Sequence, residues 1–134
     1  MGDTLWLEIK DGDETSGDEQ DNSLMLRLQE NLDALAEALG VPKLSQFFDY
    51  SLIAAEFDEA GGLPDEAWFD AKDGLLAVDR LYTHLIAHFD DLGLRADQSQ
   101  AHWPDGLLEE LSYCRARLAE AVERGARFRL LIVS

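Results

Sequence analysis

The chain is poor in positive charge. Three lysines and eight arginines stand against 28 acids, for a net charge of −17 and an isoelectric point near 4.2. That deficit excludes two partner classes. A bare phosphate backbone is bound by cations that release its counterions, so the chain as a whole offers nucleic acid little. An anionic membrane surface repels it for the same reason. Cysteine is almost missing as well. Cys114 is the single one in 134 residues, so no internal disulfide can form, and a reducing cytoplasm is the expected location.

Long apolar runs are lacking, since none approaches the ~18 residues that a membrane helix requires. The opening Met-Gly-Asp-Thr-Leu-Trp-Leu-Glu-Ile-Lys has no basic segment followed by an apolar one, so no secretory leader is expected. Gly2 invites myristoylation, but Trp6 stands where that motif wants Ser or Thr. There is no glycine-rich phosphate loop and no Gly-x-Ser-x-Gly elbow. No cofactor is therefore expected.

What remains reads as one globular domain over residues 1–134, with a hydrophobic fraction of 46%. Thr4 to Lys10 alternates strictly, with Leu5, Leu7 and Ile9 on one side and Trp6, Glu8 and Lys10 on the other. Period two over seven residues predicts a half-buried strand. Asp11 to Asn22 has no apolar residue and six acids, which predicts a solvated, mobile loop. Ser23 then reads as an N-cap, followed by Leu24, Leu28, Leu32, Leu35 and Leu39 at helical spacing, with Gly40 and Pro42 as stop signals.

Lys43 to Tyr50 fits two helical turns carrying Leu44, Phe47 and Phe48. Leu52 to Phe57 fits either a helix or a short strand. Asp70 caps a second long helix, whose apolar face of Leu75, Val78, Leu81, Tyr82, Leu85, Ile86 and Phe89 runs to near Gly93. Trp103-Pro104-Asp105 opens a third, with Leu107, Leu111, Cys114, Leu118 and Val122 in its stripe and Gly125 at its end. Trp68-Phe69 and Trp103 precede these helices as hydrophobic staples. Arg127 to Val133 closes the chain as a strand facing inward through Phe128, Leu130 and Ile132. The expected fold is α+β and helix-rich, with the N- and C-terminal strands adjacent in a small sheet, Glu8 beside Arg127 and Arg129, and three main helices packed on it. Trp6, on the outer strand face, is expected to be buried.

Four constellations carry chemistry. Asp11-Gly12-Asp13-Glu14-Thr15-Ser16 opens like a calcium loop, but Ser16 replaces the glycine at position six and Asn22 the bidentate glutamate at position twelve. The plainer reading is an acidic loop whose Asp11, Asp13, Glu14, Asp18, Glu19 and Asp21 face a basic partner. His84 and His88, at i and i+4, have the spacing of helical zinc ligands without the intervening glutamate of the protease motif. Carboxylate pairs such as Asp70 and Asp73, Asp90 and Asp91, or Glu109 and Glu110 are expected from composition alone. Lastly, residues 1–110 hold 26 acids and 6 bases, whereas residues 111–134 hold 2 acids and 5 bases. Arg115, Arg117, Arg124, Arg127 and Arg129 are then either an internal counter-charge or an anion site, and the first is preferred.

These features point to a non-enzymatic interaction module, inhibitor- or immunity-like, that binds a basic protein. The alternative is a metal-dependent enzyme or metal-binding protein using His84, His88 and nearby carboxylates.

Overall fold

A computed structural model of the chain describes residues 4–12, 14–18, 22–49, 68–94 and 103–133. The two terminal strands, β1 (Thr4–Asp11) and β5 (Arg127–Val133), pair antiparallel along their whole length, from Thr4 opposite Val133 to Lys10 opposite Arg127. Leu5, Leu7 and Ile9 thereby line up with Ile132, Leu130 and Phe128. All six are buried in one apolar cluster with the helices. Period two thus places three hydrophobic pairs on one face, and the strands form because that face has a core to enter.

The sheet has three further strands. β2 (Glu14–Asp18) pairs antiparallel with β1, while β3 (Phe48–Asp49) and β4 (Phe69–Asp70) pair parallel and antiparallel, respectively, with β5. The expected acidic loop is corrected here: residues 14–18 are an edge strand. Gly12, at φ 63, makes the turn that sets Asp11 opposite Glu14. Glycine adopts that left-handed conformation without the steric cost of a Cβ. The expected helical turns at 43–50 are likewise corrected to a 3-10 turn over Leu44–Phe47 that leads into β3. Leu52 to Phe57 lie outside the described residues.

Four helices lie among the described residues: α1 (Ser23–Arg27), α2 (Gln29–Leu39), α3 (Ala71–Ala87) and α4 (Trp103–Glu123). α1 and α2 replace the single helix expected. The chain jogs at Leu28, at φ −101, yet the Leu28 and Leu32 amides still donate 2.9 Å bonds to Leu24 and Leu28 carbonyls. Gly40 (φ 73) and Gly125 (φ 66) end α2 and α4 in the left-handed conformation. The amides of Val41 and Ala126 reach back to the Ala36 and Ala121 carbonyls, closing both ends in the same six-residue loop. α3 stops at Ala87, short of Gly93, and a 3-10 turn over Phe89–Leu92 follows.

Two helix starts differ in how their orphan amides are satisfied. Asp70 caps α3 as expected, its Oδ1 accepting from the Lys72 amide at 3.0 Å. At α1 the cap position is Asn22 rather than Ser23, and its side chain makes no capping bond. Asn22 is fully buried and faces β1 beyond the end of β2. Its amide donates to Thr4 Oγ1 at 2.9 Å and its Nδ2 to the Leu5 carbonyl at 3.0 Å. The cap comes instead from α4, 85 residues away. Glu110 Oε1 accepts the Met25 amide at 2.8 Å and Oε2 the Leu24 amide at 3.2 Å. A carboxylate there satisfies two orphan donors and opposes the positive end of the α1 dipole.

The core lies between the sheet and the helices. Phe128 of β5 meets Phe47 and Phe69 at centroid distances of 4.9 and 6.4 Å, and Gly74 of α3 sits directly over its ring. Phe69 packs into this aromatic group, its ring 5.3 Å from that of Phe47. Cys114, wholly buried, places its Sγ 3.7 Å from Met25 Sδ. Asp33 joins α2 to the 3-10 turn by accepting from Gln29 Nε2 at 2.7 Å and the Ser45 amide at 3.2 Å.

On the opposite sheet face Glu8 Oε1 accepts from Arg129 Nε at 2.6 Å, and the Arg129 guanidinium lies 4.4 Å from the Trp68 ring centroid. Trp6 is only half-buried there, opposite Leu131. No helix among the described residues is long and apolar enough to cross a membrane.

Candidate functional site

His84 and His88 come together at the end of α3, with Asp91 beside His84. His84 sits in the last turn of α3 and its Nε2 meets Asp91 Oδ2 at 2.8 Å. His88 is the residue after the helix, at φ −138, and is exposed; the two rings are 5.4 Å apart between centroids. His88 thus stands at the C-cap of α3 rather than within the helix. No group of three or more His, Cys, Asp or Glu able to hold a metal occurs among the described residues.

The carboxylate pairs separate in the same way. Asp70 caps α3, with Asp73 in its first turn. Asp91 binds His84 while its neighbour Asp90 is exposed. Glu109 points to solvent and Glu110 into the molecule, 8% exposed, holding α1. No pair of these is brought together in a buried setting of the kind that general acid–base chemistry uses.

The acidic segment at 11–22 is divided by the structure. Asp11 and Glu14 are exposed and paired across the hairpin, and Asp18 ends β2 opposite Leu7. Asp13, Glu19 and Asp21 lie outside the described residues. Beside the hairpin tip, Lys10, Gly12, Gly125 and Arg127 line a hollow of about 270 Å³.

Two of the C-terminal arginines, Arg115 and Arg129, reach into the acidic body, and Arg117 pairs within its own helix. Arg115 Nε lies 2.7 Å from Asp79 Oδ1, with its guanidinium 5.3 Å from the Tyr82 ring centroid. Arg117 Nη1 lies 3.1 Å from Glu120 Oε2, and Arg129 is bound by Glu8. Three of the five arginines in this segment therefore meet carboxylates of the same chain. Their charge is engaged within the chain, while among the described residues Asp11, Glu14, Asp73, Asp90, Asp105 and Glu109 are exposed.

One surface was not singled out by the pattern of the sequence. α3 and α4 run antiparallel, and on their outward side two grooves adjoin at Ser112. The first, about 660 Å³, is walled by Leu75, Leu76, Ala116, Ala119 and Val122, with Lys72 and the Asp79–Arg115 pair at its margin. The second, about 550 Å³, is lined by Tyr82, Tyr113, Leu108, Asp105 and Glu109. Among the described residues two large apolar side chains are exposed, Leu76 at 50% and Ile86 at 57%. Both lie on α3, and Ile86 corrects its assignment to the buried stripe. The available signal was Leu76, an apolar residue outside the periodic face of its helix. No family model, curated protein or solved structure matches the chain.

Proposed function

We propose that the protein is a non-enzymatic interaction module, inhibitor- or immunity-like, that engages a basic protein partner. One observation carries this proposal: three of the five arginines of the C-terminal segment meet carboxylates of the same chain, at Asp79, Glu120 and Glu8, while the net charge is −17. An acidic surface so arranged steers a cationic partner at long range and repels anionic competitors. Asp11, Asp13, Glu14, Asp18, Glu19 and Asp21 contribute to that field as a stretch of charge concentrated in the sequence. The proposed location is the cytoplasm, in keeping with the single buried thiol.

Affinity capture across a salt gradient tests the proposal. The Debye length falls from about 30 Å at 0.01 M to about 3 Å at 1 M salt, so a steering field should fade across that range. Basic proteins should be retained at the low end and released toward the high end. Retention of no basic protein, or retention indifferent to salt, would refute it.

A further inference from the structure

We infer that the outward face of α3 and α4 is the docking surface itself, and that its occupant is a basic amphipathic helix of the partner. This rests on the interaction reading above and adds where and how contact is made. Two antiparallel helices leave a valley that a third helix can occupy, with apolar anchors at i, i+3, i+4 and i+7. The valley has two chemically distinct ends. Leu75 and Leu76 of α3 face the small side chains Ala116 and Ala119 of α4 at one end, where a bulky apolar anchor fits against an open floor and Lys72 keeps the occupant's own cations away. Asp105 and Glu109 stand beside Tyr82 and Tyr113 at the other.

Neither Asp105 nor Glu109 has a hydrogen-bond or ion-pair partner among the described residues, and both are exposed. Two exposed carboxylates four residues apart on one helix suit a lysine or arginine, which gains charge pairing with both. Arg115, held by Asp79 against Tyr82, separates the two ends. The ends lie roughly 10 residues apart along α4, or about 15 Å at 1.5 Å per residue. The occupant therefore carries an apolar anchor and a cation about three turns apart.

Charge chooses among occupants. A second copy would bring another −17 to the face and set Asp105 and Glu109 near their own kind. A basic helix removes that repulsion while covering the exposed Leu76. Acids at the hairpin and elsewhere steer its approach, and the valley holds it.

The test uses the full chain and a fluorescein-labelled synthetic helix of leucine and lysine, with leucines at coiled-coil spacing, read by anisotropy. Asp105→Asn with Glu109→Gln should weaken binding by about tenfold or more, whereas Asp11→Asn with Glu14→Gln, which removes the same charge from the hairpin, should weaken it by less than about threefold. Leu76→Ser and Ala119→Gln, neutral changes at exposed positions, should each weaken it by about fivefold or more. Far-UV circular dichroism verifies the fold of each variant. Salt-sensitive binding that ignores the valley variants, or that falls more with the hairpin pair, overturns this inference and leaves the acidic-module proposal standing. Failure of the lysine helix to bind at low salt overturns this inference, and the acidic-module proposal falls with it only if the capture across the salt gradient also retains no basic protein. A concentration-dependent dimer in sedimentation, abolished by Ala119→Gln, overturns the basic occupant in favour of a second copy.

Discussion

Glu110 holds together two parts of the chain that are distant in sequence, and its replacement has a calculable cost. The carboxylate is 8% exposed and accepts the Met25 amide at 2.8 Å and the Leu24 amide at 3.2 Å. A hydrogen bond to a charged group contributes about 1.5–3 kcal/mol, and a buried donor left without an acceptor costs about 1–3 kcal/mol. Loss of an ordinary side-chain cap costs about 0.5–2 kcal/mol, which sets a floor. Glu110→Ala removes both acceptors and strands two amides, so about 3 kcal/mol of stability should be lost.

Glu110→Gln keeps one acceptor oxygen but turns an NH2 toward the other amide, for a loss of about 2 kcal/mol. For a chain of this length each kcal/mol corresponds to a melting shift of about 3–4 °C, so Glu110→Ala should melt about 10 °C lower. Urea titration followed by far-UV circular dichroism measures both, with an unchanged slope as the control for two-state behaviour. Hydrogen exchange adds a local reading: the Leu24 and Met25 amides should lose protection before the rest of the core. A loss below about 1 kcal/mol in Glu110→Ala, or a Glu110→Gln protein as stable as the parent, would refute the capping role.

Other substitutions test the remaining supports. Gly74→Ala should destabilise by about 1–3 kcal/mol in thermal melts, although helix propensity alone would favour it by about 1 kcal/mol, because the new Cβ would lie 2.3 Å from the buried Phe128 ring. Glu8→Ala should cost about 3 kcal/mol in urea unfolding by leaving buried Arg129 without its carboxylate, and Glu8→Leu with Arg129→Met should recover part of it. Gly125→Ala should cost about 1 kcal/mol in melting experiments, the left-handed φ of 66 being unfavourable for any residue with a Cβ. Cys114 should react with a thiol reagent only as fast as the protein opens, since its side chain is fully buried.

Legibility in the sequence followed how much apolar periodicity each element carried. β1, β5, α3 and α4 each bury a regular stripe, so their existence and pairing were readable from Leu5, Leu7 and Ile9 or from Leu107, Leu111, Cys114 and Leu118. β2 was not readable that way, because Glu14-Thr15-Ser16-Gly17-Asp18 has no apolar residue to alternate. An edge strand needs no buried side chains, only backbone partners, and its charge discourages further pairing. Gly12-Asp13 after an alternating run was a hairpin signal in its own right. β3 and β4 are two residues each, too short for any period.

The candidate site fared differently. Side chains that chemistry would have used, such as His84 and Glu110, turned out to be engaged by Asp91 and by the α1 amides. Those engagements join residues 7 and 85 positions apart, which spacing rules built on one helix do not reach. The outward valley depends on two helices being neighbours, and no single window of sequence contains it.

The most direct test of the account is a map of amide chemical shifts in isotopically labelled protein titrated with the leucine–lysine helix. It predicts shifts concentrated at Leu75, Leu76, Tyr82, Glu109, Ser112, Ala116 and Ala119, fading as salt is raised. Shifts confined to the hairpin around Asp11 and Glu14, or scattered without a focus, would contradict it.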